Sequence, residues 1–114
     1  MYVAAEALAK EVDTLLPRAR RYAPRQADHL ERSADSVVLN MSEGIGCFRP
    51  RMKISAYEIA RKEANEVRAV LRRLAAKRVL AGDDVSRAID LAGACVGMQT
   101  SAIIAAERRL ERDV

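Results

Sequence analysis

Apolar residues recur at alternating three- and four-residue intervals along most of the chain, so the backbone reads as helix nearly throughout. The cleanest run is Tyr57, Ala60, Ala64, Val67, Leu71 and Leu74, a heptad seam that predicts a helix from about Lys53. Ala5, Leu8, Val12 and Leu15 give a first helix over Tyr2 to Leu16, ended near Pro17. The segment Pro17 to Pro24 reads as a connector, because proline has no N–H to donate and restricts the residue before it. Pro24 suits a first helical turn. From it Ala27, Leu30, Ala34, Val37 and Met41 align on a second helix, which Gly44 is expected to close in the left-handed conformation. Ile45 to Met52, with Gly46 and Pro50, reads as loop. Val79 to Asp84 reads as a turn, with Gly82 past the end of helix three and Asp83 or Asp84 capping helix four. Four helices with short connections over residues 1–114 predict one all-α domain, an antiparallel up-and-down four-helix bundle.

Helix four departs from the pattern of the others. Its seam is Val85, Ile89, Ala92, Val96, Gln99, Ile103, Ala106 and Leu110, and a second apolar stripe, Ala88, Leu91, Cys95, Met98, Ala102 and Ala105, runs beside it. Gly93, Gly97, Ser101 and Ala105 add a row of small residues at intervals of four. Such a row admits a close helix neighbour. With Cys95 and Met98, it exceeds what a bundle core needs, and an exposed strip of that length is a liability in a monomer. The expected oligomer interface is therefore Gly93, Gly97, Met98, Ser101 and Ala105.

Charge changes the picture next. Between Arg49 and Arg78 ten Lys and Arg face three acids, a net of +7, while the whole chain is only +4 and the remainder −3. So concentrated a positive field attracts polyanions. Arg61, Arg68 and Arg72 fall on one flank of helix three and Lys62, Arg73 and Lys77 on its far side. Arg72, Arg73, Lys77 and Arg78 lack acids in reach along the helix, apart from Glu63 and Glu66 upstream. Arg49, Arg51 and Lys53 lie at one end of helix two and Arg18, Arg20, Arg21 and Arg25 at the other, roughly 30 Å away at 1.5 Å per residue. Two separate basic zones are expected, the first extended lengthwise by helix three. Phe48 and Tyr22, each among arginines, are candidate stacking residues.

Catalytic and metal chemistry finds little to work with. One histidine and two cysteines without CxxC spacing assemble no metal cluster, no cofactor is expected, and both thiols read as reduced in a cytoplasmic protein. The N-terminus lacks the pattern of a secretory signal, and the longest uncharged run, Leu91 to Ala106, is short of the roughly 20 apolar residues that span a bilayer. No membrane partner is expected. Asn40 and Glu43 share a helix face and could hold a cation or act as acid and base, but read more simply as a polar network, with Glu43 paired to Arg32 or Arg61. Cys47, beside Phe48 and Arg49, is a candidate reactive thiol without a resolving cysteine or base. His29 reads as a partly exposed residue early in helix two.

The stretch Leu30-Glu31-Arg32-Ser33-Ala34-Asp35-Ser36-Val37-Val38-Leu39-Asn40-Met41-Ser42-Glu43-Gly44 carries an arginine, small residue, serine, then Asn-x-x-Glu-Gly pattern. A second element is Tyr57-Glu58-Ile59-Ala60-Arg61 followed by Asn65-Glu66-Val67. Together they resemble the bacterial four-helix-bundle proteins encoded in intervening sequences of large-subunit ribosomal RNA genes. Leu16-Pro17 with Arg21-Tyr22 is similar to that family's connector. Val38-Leu39 stands where those proteins often carry a proline. The resemblance implies a homopentamer with no established enzymatic activity. It also implies kinship with the accessory proteins of diversity-generating retroelements, in which a basic pentamer engages reverse transcriptase and RNA.

The function expected from residues and resemblance together is a non-enzymatic, basic homo-oligomer that binds RNA or DNA backbone, as an accessory to a reverse transcriptase or other nucleoprotein. The rival is a structural or protein-interaction module whose arginines pair with neighbouring subunits. An enzyme using Glu43 comes third.

Overall fold

A computed structural model describes residues 1–112. Four helices follow in chain order: α1 (Tyr2–Tyr22), α2 (Pro24–Gly46), α3 (Pro50–Ala76) and α4 (Gly82–Arg112). Each packs chiefly on the two beside it, α1 on α2 and α4, α3 on α2 and α4, so the bundle is square in section and 52 × 19 × 19 Å in extent. Two side-chain bonds mark its ends. Arg18 Nε donates to the Val79 carbonyl at 2.9 Å, joining the end of α1 to the α3–α4 turn. Arg109 Nη2 donates to the Phe48 carbonyl at 3.0 Å, joining α4 to the α2–α3 loop.

The seams meet in the core as the spacing requires. Leu8, Val12, Leu30, Val37, Met41, Val67, Leu71 and Leu74 are fully buried, each gaining roughly 1.5–3 kcal/mol of transfer free energy. The expected seam of α4 is buried at Val85, Ala92, Gln99, Ile103 and Ala106 and half-buried at Ile89, Val96 and Leu110. Cys95, expected at an interface, lies in this core at 2% exposure, and burial pushes its thiol upward. Gln99 is the polar exception. Its Nε2 donates to Met41 Sδ at 3.3 Å, while its buried Oε1 has no protein partner. Among the described residues α4 alone is long and apolar enough to cross a membrane, with an 18-residue window of mean hydropathy 1.4.

Several boundaries differ from the sequence reading. The chain does not break at Pro17. α1 runs through it to Tyr22, because Leu16 and Ala19 are buried on either side and Pro17 itself is exposed, so packing outweighs the lost backbone bond. The turn is the single residue Ala23 (φ −149°, ψ 66°). α2 likewise continues past Gly44 to Gly46, and no glycine among the described residues has positive φ. Pro50 starts α3 instead of belonging to a loop, which leaves only Cys47 to Arg49 between the helices. Gly82 begins α4 and does not close α3. The positive φ of that connection falls on Arg78 (φ 61°), where Leu80 is drawn under the end of the bundle and buried. Asp83 and Asp84 lie inside the first turn of α4, where they favour the helix macrodipole.

Candidate nucleic-acid interface

α3 presents flanks of opposite character because each leans on a different neighbour. Toward α2, Glu66 accepts from His29 Nε2 at 3.1 Å and from Ser33 Oγ at 3.5 Å. Glu63 shares that cleft of about 310 Å³ with His29, Arg32, Ser33 and Ser36. Toward α4, Arg61 Nη1 donates to Thr100 Oγ1 at 3.3 Å. Seven and eleven residues on, Arg68 and Arg72 follow on the same flank. The two glutamates nearest in sequence are thus turned to the other side. Among the described residues none of Arg61, Lys62, Arg68, Arg72, Arg73 and Lys77 has a carboxylate within 4.0 Å. Arg68 Nη1 reaches only Asn65 Oδ1, at 3.4 Å, and its shielded Nε has no protein partner.

The two terminal zones lie at opposite ends of the molecule, as expected, and differ in how free their cations are. Arg20 pairs with Glu31 at 2.8 Å and Asp28 at 3.4 Å, and its pKa is raised, first by the hydrogen bond to Glu31. Arg18 is bonded to Val79, and Arg18 and Arg21 lie 5.2 and 5.4 Å from the Tyr22 ring centre, so that ring is already engaged. Arg25 is exposed. At the other end Lys53 Nζ donates to the Gly44 carbonyl at 2.8 Å, closing the end of α2, while Arg49 and Arg51 are exposed. Phe48 is 88% exposed beside them. The continuous, unneutralised cations are those of α3.

Glu43 departs from its expected pairing. It is exposed, no ion pair engages it among the described residues, and of the two arginines expected to meet it Arg61 is bonded to Thr100 and Arg32 lines the cleft with Glu63 and Glu66. Asn40 turns inward along its own helix, donating to the Ser36 carbonyl at 2.9 Å and Ser36 Oγ at 3.0 Å. The cleft they share, about 250 Å³, is otherwise lined by Met52, Ser55, Ala56 and Ile59, so Glu43 is its one titratable group. No three His, Cys, Asp or Glu residues among those described are placed to hold a metal.

The small row on α4 lies on the outside. Gly97, Met98, Ser101 and Ala105 are exposed and Gly93 half-exposed, and a Cβ at either glycine would meet nothing within 4 Å. The row does not run straight. Each four-residue step turns about 40° at 3.6 residues per turn, carrying it from Gly93 on the α3 side to Ala105 on the α1 side. On the opposite edge of the bundle, α1 and α2 enclose a groove of about 400 Å³ with Glu6, Asp13 and Asp35 against Lys10. Desolvation in this groove, then the charges of Glu31 and Asp13, raise the Asp35 carboxyl. The basic edge and the acidic edge are therefore on opposite sides.

Sequence spacing identified the cations of α3 but not Thr100 as the partner of Arg61 on the neighbouring helix. The register that brings α4 alongside is a tertiary fact, and a threonine inside an apolar run carries no signal of it.

The family model described as 23S rRNA-intervening sequence protein matches residues 1–101. Among solved structures, the chain is similar to a protein of unknown function from the S23 ribosomal protein family of Bacteroides thetaiotaomicron VPI-5482. The TM-score is 0.83 at 18% identity, over 90% of this chain and 96% of that one, a likeness of fold. No curated protein matches.

Proposed function

The chain belongs to the 23S rRNA-intervening sequence protein family, and from that premise we propose that it is a non-enzymatic, homo-oligomeric module that holds nucleic-acid backbone. The observation that carries this reading is the flank of α3 where Arg61, Arg68 and Arg72 stand in a row without carboxylate partners among the described residues, with Arg73 and Lys77 likewise unpaired on the far side of the helix. Phosphate contacts from such a row supply affinity without much choice of sequence. The exposed Gly97, Met98, Ser101 and Ala105 of α4 support assembly between copies, with Gly93, turned toward α3 and half-exposed, outside that face, and the pentamer implied by the resemblance is the expected form. An accessory role beside a larger nucleoprotein enzyme, such as a reverse transcriptase, fits a module of this kind.

A second reading, a protein-interaction module with no nucleic-acid role, is favoured by the acidic groove between α1 and α2 and by Leu39, 67% exposed at its rim. Replacing Arg68, Arg72 and Arg73 together by Glu separates the two. The first reading expects an intact oligomer that no longer holds unrelated oligonucleotides, and a wild type whose affinity falls steeply with salt. Loss of assembly in the variant, with no oligonucleotide bound by the wild type at low salt, supports the second.

A further inference from the structure

The groove between α3 and α4 has a register that one bond fixes. Arg61 faces Thr100, and in an antiparallel pair each step up α3 is a step down α4. Seven residues from each, Arg68 stands across from Gly93. Arg72, one turn further, faces the level of Ile89. At Arg68 the cationic flank of α3 therefore meets α4 where α4 has no side chain, and a Cβ built at Gly93 finds open space. Arg61, Arg68 and Arg72 are spaced by about 10 and 6 Å along the axis at 1.5 Å per residue. That is on the order of one to two nucleotides, a spacing that successive phosphates of one strand can match. At the lower end of the same helix Phe48 offers an exposed aromatic face beside Arg49 and Arg51.

We infer that this groove seats a single nucleic-acid strand lengthwise, its phosphates against Arg61, Arg68 and Arg72, its backbone over Gly93, and a base stacked on Phe48. The inference rests on the nucleic-acid reading above and adds to it a strandedness and a track. Phosphodiester charge and a π-face are common to RNA and DNA, so the groove recognises both as single strands. The glycine matters because a side chain there would stand between strand and helix. The aromatic matters because bases that are paired and stacked in a duplex are not free to lie on it.

Gly93→Leu tests the track without altering charge, so general attraction to polyanions is kept. Fluorescence anisotropy would compare labelled single-stranded RNA, single-stranded DNA and duplex DNA of one length at low salt, with sedimentation of each protein in parallel. Expected are tighter binding of both single strands than of duplex, at least about fivefold weakening of the single strands by Gly93→Leu and by Phe48→Ala, and unchanged duplex binding and sedimentation. Equal loss for single strand and duplex, or no loss in Gly93→Leu, overturns the groove and leaves the nucleic-acid reading standing. A smaller assembly in Gly93→Leu also overturns it, since Gly93 then lies between subunits. No binding of any oligonucleotide by the wild type overturns both.

Discussion

Gly44 has its place because of an aromatic ring on the next helix. A Cβ there would lie 2.7 Å from Tyr57 Cδ1 and 2.9 Å from Cζ, so the ring rests directly on the backbone of α2. Tyr57 is 4% exposed, and desolvation, then the charge of Cys47, raises its pKa. The glycine of Asn-x-x-Glu-Gly is therefore a packing residue, with no left-handed turn to make. The sequence carried a signal that this position excludes a side chain, but the more familiar reason for such a glycine, helix termination, was the wrong one. Gly44→Ala should cost about 1–3 kcal/mol through overpacking, offset in part by up to about 1 kcal/mol of helix propensity. Urea denaturation should show a lowered midpoint, and the loss should shrink when the same change is made in Tyr57→Leu. A loss of equal size in both backgrounds would mean that the ring is not its cause.

At the scale of elements, the periodicity of apolar residues was enough for helix number, order and inward faces, because a seam of Tyr57 to Leu74 admits no other period. Breaks were less legible. Proline and glycine punctuate local structure only when packing does not decide otherwise, and at Pro17 the buried neighbours Leu16 and Ala19 decide. The helix there is kept despite a missing backbone donor. Pro17→Ala should therefore raise stability, on the order of 1–3 kcal/mol, because the exposed ring contributes little packing and the restored N–H completes the ladder. Denaturant unfolding of the two proteins measures it directly, and a fall in stability would show that the proline shapes α1 usefully. The flanks of α3 were half legible: cation density was plain, but that Glu63 and Glu66 turn to α2 while Arg61 turns to α4 required the neighbours to be in place.

For the whole molecule, assembly is the property that single-chain packing bears on least and that the exposed face of α4 bears on most. Gly97→Leu is expected to leave the folded protomer alone, since a Cβ at Gly97 touches nothing within 4 Å. Any change in sedimentation therefore reads contacts between copies. The variant should form smaller species with its helical content kept, each overpacked interface losing on the order of 1–3 kcal/mol. A fully oligomeric variant would place the interface elsewhere, and a wild type monomeric at micromolar concentration would leave α4 a helix of the bundle with no interface to make. The opposed edges of the bundle have a consequence of their own. With Glu6, Asp13 and Asp35 along one long side and the arginines of α3 along the other, the protein is a transverse dipole only 19 Å across. Near a polyelectrolyte such a body feels a torque as well as a pull, and it turns its cationic side inward before contact. Fewer collisions are then wasted on wrong orientations, so ionic strength should slow association more than it hastens release.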